Sequence, residues 1–239
     1  MSTPLVKKLG TFVDLDGVQR ATLEALCNDL RPVSARADII RQGDRPHSIH
    51  LICDGWAARY QNMPNGKSQI VAFLVPGDFL DAHVTILDRM DHSVRAVTRC
   101  KVAYIDPGHL HDLASADDQL MRAFWWSTLV DEATLRSWIV GLGMRDAFER
   151  IAHLFCELHS RLNLVGLVDH GRFDMPLTQV ELGDAMGLTA VHINRTLQRL
   201  RAESLIELAG KALTILDVPR LQEIAGFDPA FLHIKRRVQ

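Results

Sequence analysis

The sequence lacks any apolar run approaching the roughly twenty residues of a membrane span, and its opening stretch MSTPLVKKLG has no apolar signal core. A cytoplasmic protein without membrane attachment is the expectation. Close cysteine pairs are also missing. Cys27, Cys53, Cys100 and Cys156 stand far apart with no CxxC, so reduced, mostly buried thiols are expected. The single histidines His83 and His92, the pair His109-x-His111 and the trio His153, Cys156 and His159 do not make a metal site on spacing alone, and neither a metal nor another cofactor is expected. No nucleophile motif, metal-ligand array or phosphate loop stands out, and Asp78, Asp81 and His83 are too ordinary to form a catalytic proposal, so an enzyme is not expected. Excess positive charge is absent as well. With a net charge of −2, a chain that bound nucleic acid would have to segregate its charge, because phosphate contacts dominate such affinity.

What is present is a chain of 239 residues, 47% hydrophobic, enough for one large or two ordinary domains with real cores. Its organising stretch runs from Pro176 to Leu208. Thr178 with Glu181 forms a capping box that starts a helix, along which Val180, Leu182 and Met186 are apolar. Gly187 ends it, since a residue without a Cβ takes the left-handed conformation freely, and Thr189 caps the next helix. There Ile193, Leu197 and Leu200 give an inner face, while Val191, His192, Asn194, Arg195, Gln198, Arg199 and Arg201 point outward. Between Ala190 and Arg201 there are three arginines, one histidine and no acid. Arginine and asparagine bond bidentately to guanine and adenine edges, and they belong near the N-terminal end of a helix set in the major groove of double-stranded DNA. Thr178, Thr189, Val191, His192, Asn194, Arg195 and Arg199 are the candidate DNA contacts. Two short strands about Gly210 follow as a hairpin wing, then a helix from Pro219 to Ala225 and a tail with Lys235-Arg236-Arg237.

Upstream, Leu15, Val18, Leu23, Leu26 and Leu30 predict a packing helix from about Asp14 to Leu30, capped by Asp14 or Asp16. From Val33 to Ile105 short β-rich runs turn at Gly43, Gly55, Gly66 and Gly77, with Asn65-Gly66 as a hairpin, and predict a barrel, sandwich or roll able to act as sensor or scaffold. Pro107 opens a short helix, and Asp117 or Asp118 starts a long one to about Leu142. On it Met121, Trp125, Thr128, Leu135, Ile139 and Leu142 form a heptad-like seam broken by Glu132, and Phe124, Trp126, Val130 and Trp138 widen the apolar surface. A helix so apolar on several sides calls for a second copy of itself. The expected homodimer interface is Met121, Trp125, Thr128, Leu135, Trp138 and Ile139. Gly141 and Gly143 end this helix at a hinge, and DAFERIAHLFCELHSRL then turns Phe148, Ile151, Ala152, Phe155 and Leu158 inward.

With the order of roll, long helix, hinge and winged helix complete, the chain resembles the Crp/Fnr family of bacterial transcription regulators from Asp38 to Leu216. The most specific matches are Gly43-Asp44, Pro76-Gly77-Asp78-Phe79, Glu149-Arg150-Ile151-Ala152 and LTQVELGDAMGLTAVHINRTLQRL. The resemblance implies an α+β chain with three parts: a cyclic-nucleotide-binding-type β-roll at 1–116, a dimerisation helix at 117–143 and a winged helix-turn-helix at 144–239. It also implies a homodimer on a palindromic promoter site, in contact with RNA polymerase. By position, the family's base-reading glutamate falls on Val191, which packs on a thymine methyl but accepts no bond from cytosine, while the following arginine is kept as Arg195. The effector pocket, carried over, falls on Gly77, Asp78, Phe79, Arg95, Leu135 and Arg136. There the Arg-Ser pair and the adenine-binding Thr-Ser of the cyclic AMP receptors are missing, which argues against cyclic AMP, and Arg95 or Arg89 would be left for another anion. The cysteine cluster of the iron-sulfur branch is absent. Two functions follow: a dimeric sequence-specific regulator whose small-molecule effector is unidentified or absent, or a ligand-binding module that acts through protein partners.

Overall fold

The computed structural model describes residues 2–82, 86–87 and 89–234, so His83 and Lys235-Arg236-Arg237 lie outside the described residues. Thr3 caps α1 (Pro4–Leu9), and Asp16 caps α2 (Gly17–Ala25) through a capping box with Gln19. The single helix expected as far as Leu30 therefore stops at Ala25. Leu15, Leu23 and Leu26 are buried as the spacing predicted, but Val18 is 76% exposed and Leu30 enters the first strand. Apolar residues in the turns flanking α2 mimic a longer helical period.

Among the described residues, seven strands form the roll. They are β1 (Leu30–Val33), β2 (Asp38–Ile40), β3 (Ile49–Asp54), β4 (Ala57–Asn62), β5 (Ser68–Leu74), β6 (Ser93–Ala96) and β7 (Cys100–Ile105). They pair antiparallel in the orders β1-β7-β3 and β2-β6-β4-β5. Ile40, Ile52, Leu74, Leu80, Val94 and Val102 belong to the core of the roll, and Asn65-Gly66 makes the β4–β5 hairpin as its sequence demands. Trp56, Tyr60, Ile70 and Phe73 belong to a different cluster, shared with the C-terminal domain.

Asp106 caps α3 (Pro107–Ala116) and Asp117 caps α4 (Asp118–Met144). Gly141 and Gly143 are helical, so the break falls later than expected: Arg145 is extended, and Asp146 starts α5 (Ala147–Leu164) with a capping box to Glu149. Next come β8 (Arg172–Asp174), α6 (Gln179–Met186), α7 (Ala190–Ala202), β9 (Ile206–Ala209), β10 (Ala212–Ile215), α8 (Val218–Ala225) and a 3-10 turn at Pro229–Leu232. The wing sheet has three strands, β8-β10-β9. Its first, only three residues long, sits in a segment that reads as loop.

One hydrophobic cluster runs from Tyr60 and Phe73 of the roll through Trp138 and α5 to Ile193 and Leu200 of α7. Polar bonds fix the same junction. Gln69 Nε2 donates to the Ala185 carbonyl at 3.2 Å, Arg161 to that of Phe73 at 2.9 Å and the Lys7 ammonium to that of Val165 at 2.9 Å. The C-terminal domain thus rests on the roll of its own chain. Trp138 is consumed there. Expected on the dimer seam, it is buried, its indole N–H donates to Glu157 Oε2 at 2.7 Å, and its ring lies edge-on to Phe73. Leu135 is half-buried, whereas Met121, Trp125, Thr128 and Ile139 remain exposed along α4, joined by Leu129 and Val140. Among the described residues no helix is long and apolar enough to cross a membrane.

Candidate nucleic-acid interface

The helix-turn-helix is built from local bonds. Thr178 Oγ1 accepts the Glu181 N–H at 3.2 Å, and the Glu181 carboxylate takes the Thr178 N–H at 2.7 Å and its hydroxyl proton at 2.8 Å. Gly187 closes α6 with φ 65°, and Thr189 Oγ1 accepts the His192 N–H at 3.2 Å to open α7. A further glycine matters here that the sequence pattern did not single out. A Cβ on Gly183 would stand 2.5 Å from the Leu188 carbonyl oxygen, so only glycine lets α6 lie this close to the turn. Its signal was a glycine inside an otherwise regular helix.

Ile193, Leu197 and Leu200 are buried as predicted, and they fix which side of α7 faces out. Val191, His192 and Arg195 line an open surface groove of about 510 Å³ with Thr189, Arg199 and the start of α5. Val191 is 64% exposed. Among the described residues Arg195 has no ion-pair or hydrogen-bond partner, so its guanidinium is free to engage a ligand.

Three other expected contacts are partly committed inside the protein. Thr178 serves its capping box. Asn194 is half-buried, and its amide reaches Gln179 Oε1 at 3.4 Å, tying α7 to α6. Arg199 lies over the Phe148 ring, 3.9 Å from its centroid, and pairs through Nε with Glu203 at 2.8 Å. Gln179 and Phe148 belong to other helices, which a helical wheel of α7 does not show.

Arg150 holds the assembly at its base. Its guanidinium donates to the carbonyls of Gly141 (3.1 Å) and Leu142 (3.3 Å) at the end of α4, of Arg145 (2.9 Å) in the link, and of Met186 (2.6 Å) at the end of α6. One planar cation thereby satisfies the terminal carbonyls of two helices, and positive charge at two helix C-termini is favoured by both dipoles.

The residues expected to form an effector pocket are placed otherwise. Both Asp78 carboxylate oxygens are occupied, by Lys8 at 2.7 Å and by Arg161 at 2.6 Å, with the Val75 N–H at 2.8 Å on the second. Burial alone would raise its pKa, but the Lys8 and Arg161 cations outweigh that and hold it down at about 2. Gly77 packs against the Pro4 carbonyl, and Phe79 is buried edge-on to Phe124. This turn joins α1, the roll and α5. Arg95 is paired too, with Asp38 at 3.0 Å and the Tyr60 hydroxyl at 3.0 Å. Leu135 and Arg136 lie beyond the cavity between roll and α4, and Arg136 pairs with Glu132 at 2.9 Å. That cavity meets α4 from Met121 to Thr134, stopping just short of them.

Comparison with known proteins agrees with both halves of the chain. Residues 30–117 match the cyclic nucleotide-binding domain, and residues 149–224 match the Crp-like helix-turn-helix domain. The transcriptional activator protein FnrL of Cereibacter sphaeroides is 28% identical over 217 residues, covering 89% of this chain and 86% of its own. The nitrogen fixation regulation protein FixK of Bradyrhizobium diazoefficiens is 26% identical over 195 residues, covering 81% and 80%. The solved structure of FixK2 from Bradyrhizobium japonicum superposes with a TM-score of 0.73 at 21% identity, over 82% of this chain and 96% of that one. With a cyclic-nucleotide-binding-type roll, a long helix and a helix-turn-helix DNA-binding domain in this order, the chain belongs to the Crp/Fnr family of transcription regulators.

Proposed function

We propose that this regulator binds a palindromic promoter site as a homodimer, with α7 of each copy in the major groove. The observation that carries the reading is the unpaired Arg195 beside exposed Val191 and His192 on an acid-free stretch of α7. Arg195 reads guanine, and Val191 meets a thymine methyl in place of a cytosine-bonding acid. Thr178, Thr189, Asn194 and Arg199 set the reading helix and its distance from the phosphates. The second copy docks along the exposed stripe Met121, Trp125, Thr128 and Ile139, which places two α7 helices about 34 Å apart, one turn of duplex. RNA polymerase is the downstream partner, the cytoplasm is the site of action, and the chain catalyses no reaction. A small-molecule effector acts by shifting the long helix against the winged domain.

The test is selection from random duplexes by purified protein at one fixed salt concentration, with and without cyclic nucleotides. A palindrome is expected. Arg195→Ala should weaken specific binding by about 1–3 kcal/mol and relax preference at one base pair per half-site. Unchanged operator affinity would remove Arg195 from the reading role.

A further inference from the structure

We propose that the cavity between the roll, the long helix and α5 is a binding site for an uncharged, apolar small molecule. The proposal deepens the effector reading above and rests on it for the consequence of binding, though not for binding itself. The cavity measures about 290 Å³. That is near the lower end of small-ligand sites, which span roughly 300–1,000 Å³.

Its walls are Phe12 beyond α1, Val75 and Phe79 of the roll, Phe124 and Trp125 of α4 and Leu164 of α5. All six of these side chains are apolar and four are aromatic, surfaces that water solvates poorly.

The charges beside these walls decide the ligand class. Lys8 and Arg161 share Asp78, Arg161 also pairs with Glu157 at 2.8 Å, and Arg59 pairs with Asp131. Three cations thus face three carboxylates, and each cation already has its carboxylate. A phosphate or carboxylate ligand would have to draw Lys8 or Arg161 away from the buried Asp78, or Arg59 away from the partly exposed Asp131, a cost that a neutral apolar ligand avoids. Thr128 offers little more, since its hydroxyl bonds the Phe124 carbonyl at 3.3 Å. The anion held by arginine in the cyclic AMP receptors therefore has no counterpart here. Arg95, the residue the sequence offered for that role, is not part of this cavity and is paired elsewhere.

The position also gives such a ligand leverage. The wall formed by Lys8, Asp78 and Arg161 is the ion-pair cluster that fastens α5 to the roll, and the wall formed by Trp125 belongs to the exposed stripe of α4. An apolar ligand seated here touches both the attachment of the winged domain and the face expected to meet the second copy. Its affinity therefore depends on how these three elements sit, which is the condition for a ligand to shift their equilibrium.

The experiment titrates the full-length protein with N-phenyl-1-naphthylamine, an uncharged fluorescent probe, and follows emission sensitised by tryptophan. Saturable binding of about one probe per chain is expected. Ala114→Phe, which adds bulk to the cavity from α3, should weaken it by roughly tenfold or more, a change of about 1.4 kcal/mol by the affinity constant; Ala114→Leu is the smaller insertion should the first variant fail to fold. Cyclic AMP and inorganic phosphate should not displace the probe. No saturable binding, binding indifferent to both Ala114 variants, binding lost with Ile139→Ser on the exposed stripe instead, or displacement by cyclic AMP would each overturn the proposal. Operator binding is read separately on the same preparation. Probe binding without any selected operator would sink the regulator reading and leave the site standing, and an operator without probe binding would do the reverse.

Discussion

Replacing Arg150 tests whether one side chain joins the long helix to the reading head. Its guanidinium makes four hydrogen bonds to carbonyls in three segments, at 3.1 Å, 3.3 Å, 2.9 Å and 2.6 Å. Water reaches the exposed Leu142 and half-buried Arg145 readily, and the Gly141 carbonyl keeps the Arg145 N–H at 3.2 Å, so the bond that alanine would leave unmet is the one to the carbonyl of buried Met186. A hydrogen bond to a charged group contributes about 1.5–3 kcal/mol, so Arg150→Ala should lose about that much. Against a whole stability of roughly 5–15 kcal/mol that is a large share. Arg150→Lys keeps the charge but not the planar fork, and should recover no more than about half of the loss. Urea unfolding monitored by circular dichroism gives the stability, and operator titration below the unfolding range gives the function. Both variants should bind DNA more weakly than their stability alone explains, because Met186 ends the helix that positions α7. A loss below about 1 kcal/mol in Arg150→Ala would refute the reasoning.

His153 is buried against Phe227 and Phe231, and burial, with Arg145 adding to it, lowers its pKa to about 4. The folded state therefore holds it neutral. Its contribution is whole above the unfolded value near 6.5 and is lost as pH falls toward 4, about 3 kcal/mol in all. Denaturant unfolding from pH 7 to pH 4 should show that slope, and His153→Gln should flatten it; an unchanged slope would clear His153 of the role. Gly183→Ala should cost about 1–3 kcal/mol, because its methyl meets the Leu188 oxygen at 2.5 Å, and a melting temperature equal to wild type would contradict that packing. By sedimentation the wild type should be a dimer and Trp125→Glu a monomer at the same concentration, since the variant sets a charge in the exposed stripe of α4. A dimer of full strength would move the interface elsewhere.

Among these residues, those readable from sequence have partners within a turn or two along the chain. Thr178 and Glu181, Gly187, Thr189 and the inner face Ile193, Leu197 and Leu200 specify the two helices and their outward side by short-range bonding and period alone, and the structure repeats them. The β-rich texture from Val33 to Ile105 and the Asn65-Gly66 hairpin were equally legible, because strand alternation and turn chemistry are local. The weakest local signals failed: three-residue β8 has too little pattern to stand out, and the turns beside α2 carried apolar residues at helical spacing.

What only the tertiary structure decided are the partners far away in sequence. Asp78 looks like a ligand-binding acid until Arg161, 83 residues on, closes over it. Arg95 looks free until Asp38 and Tyr60 are seen beside it, and Trp138 looks like a seam residue until Glu157 and Phe73 enclose it. Sequence sets which face of each element is apolar and which polar, through backbone periodicity. Which charged or aromatic side chain spends its bonding capacity inside the fold, and which keeps it for a ligand, depends on the faces that meet when the winged domain settles on the roll, and that is fixed only by packing in three dimensions.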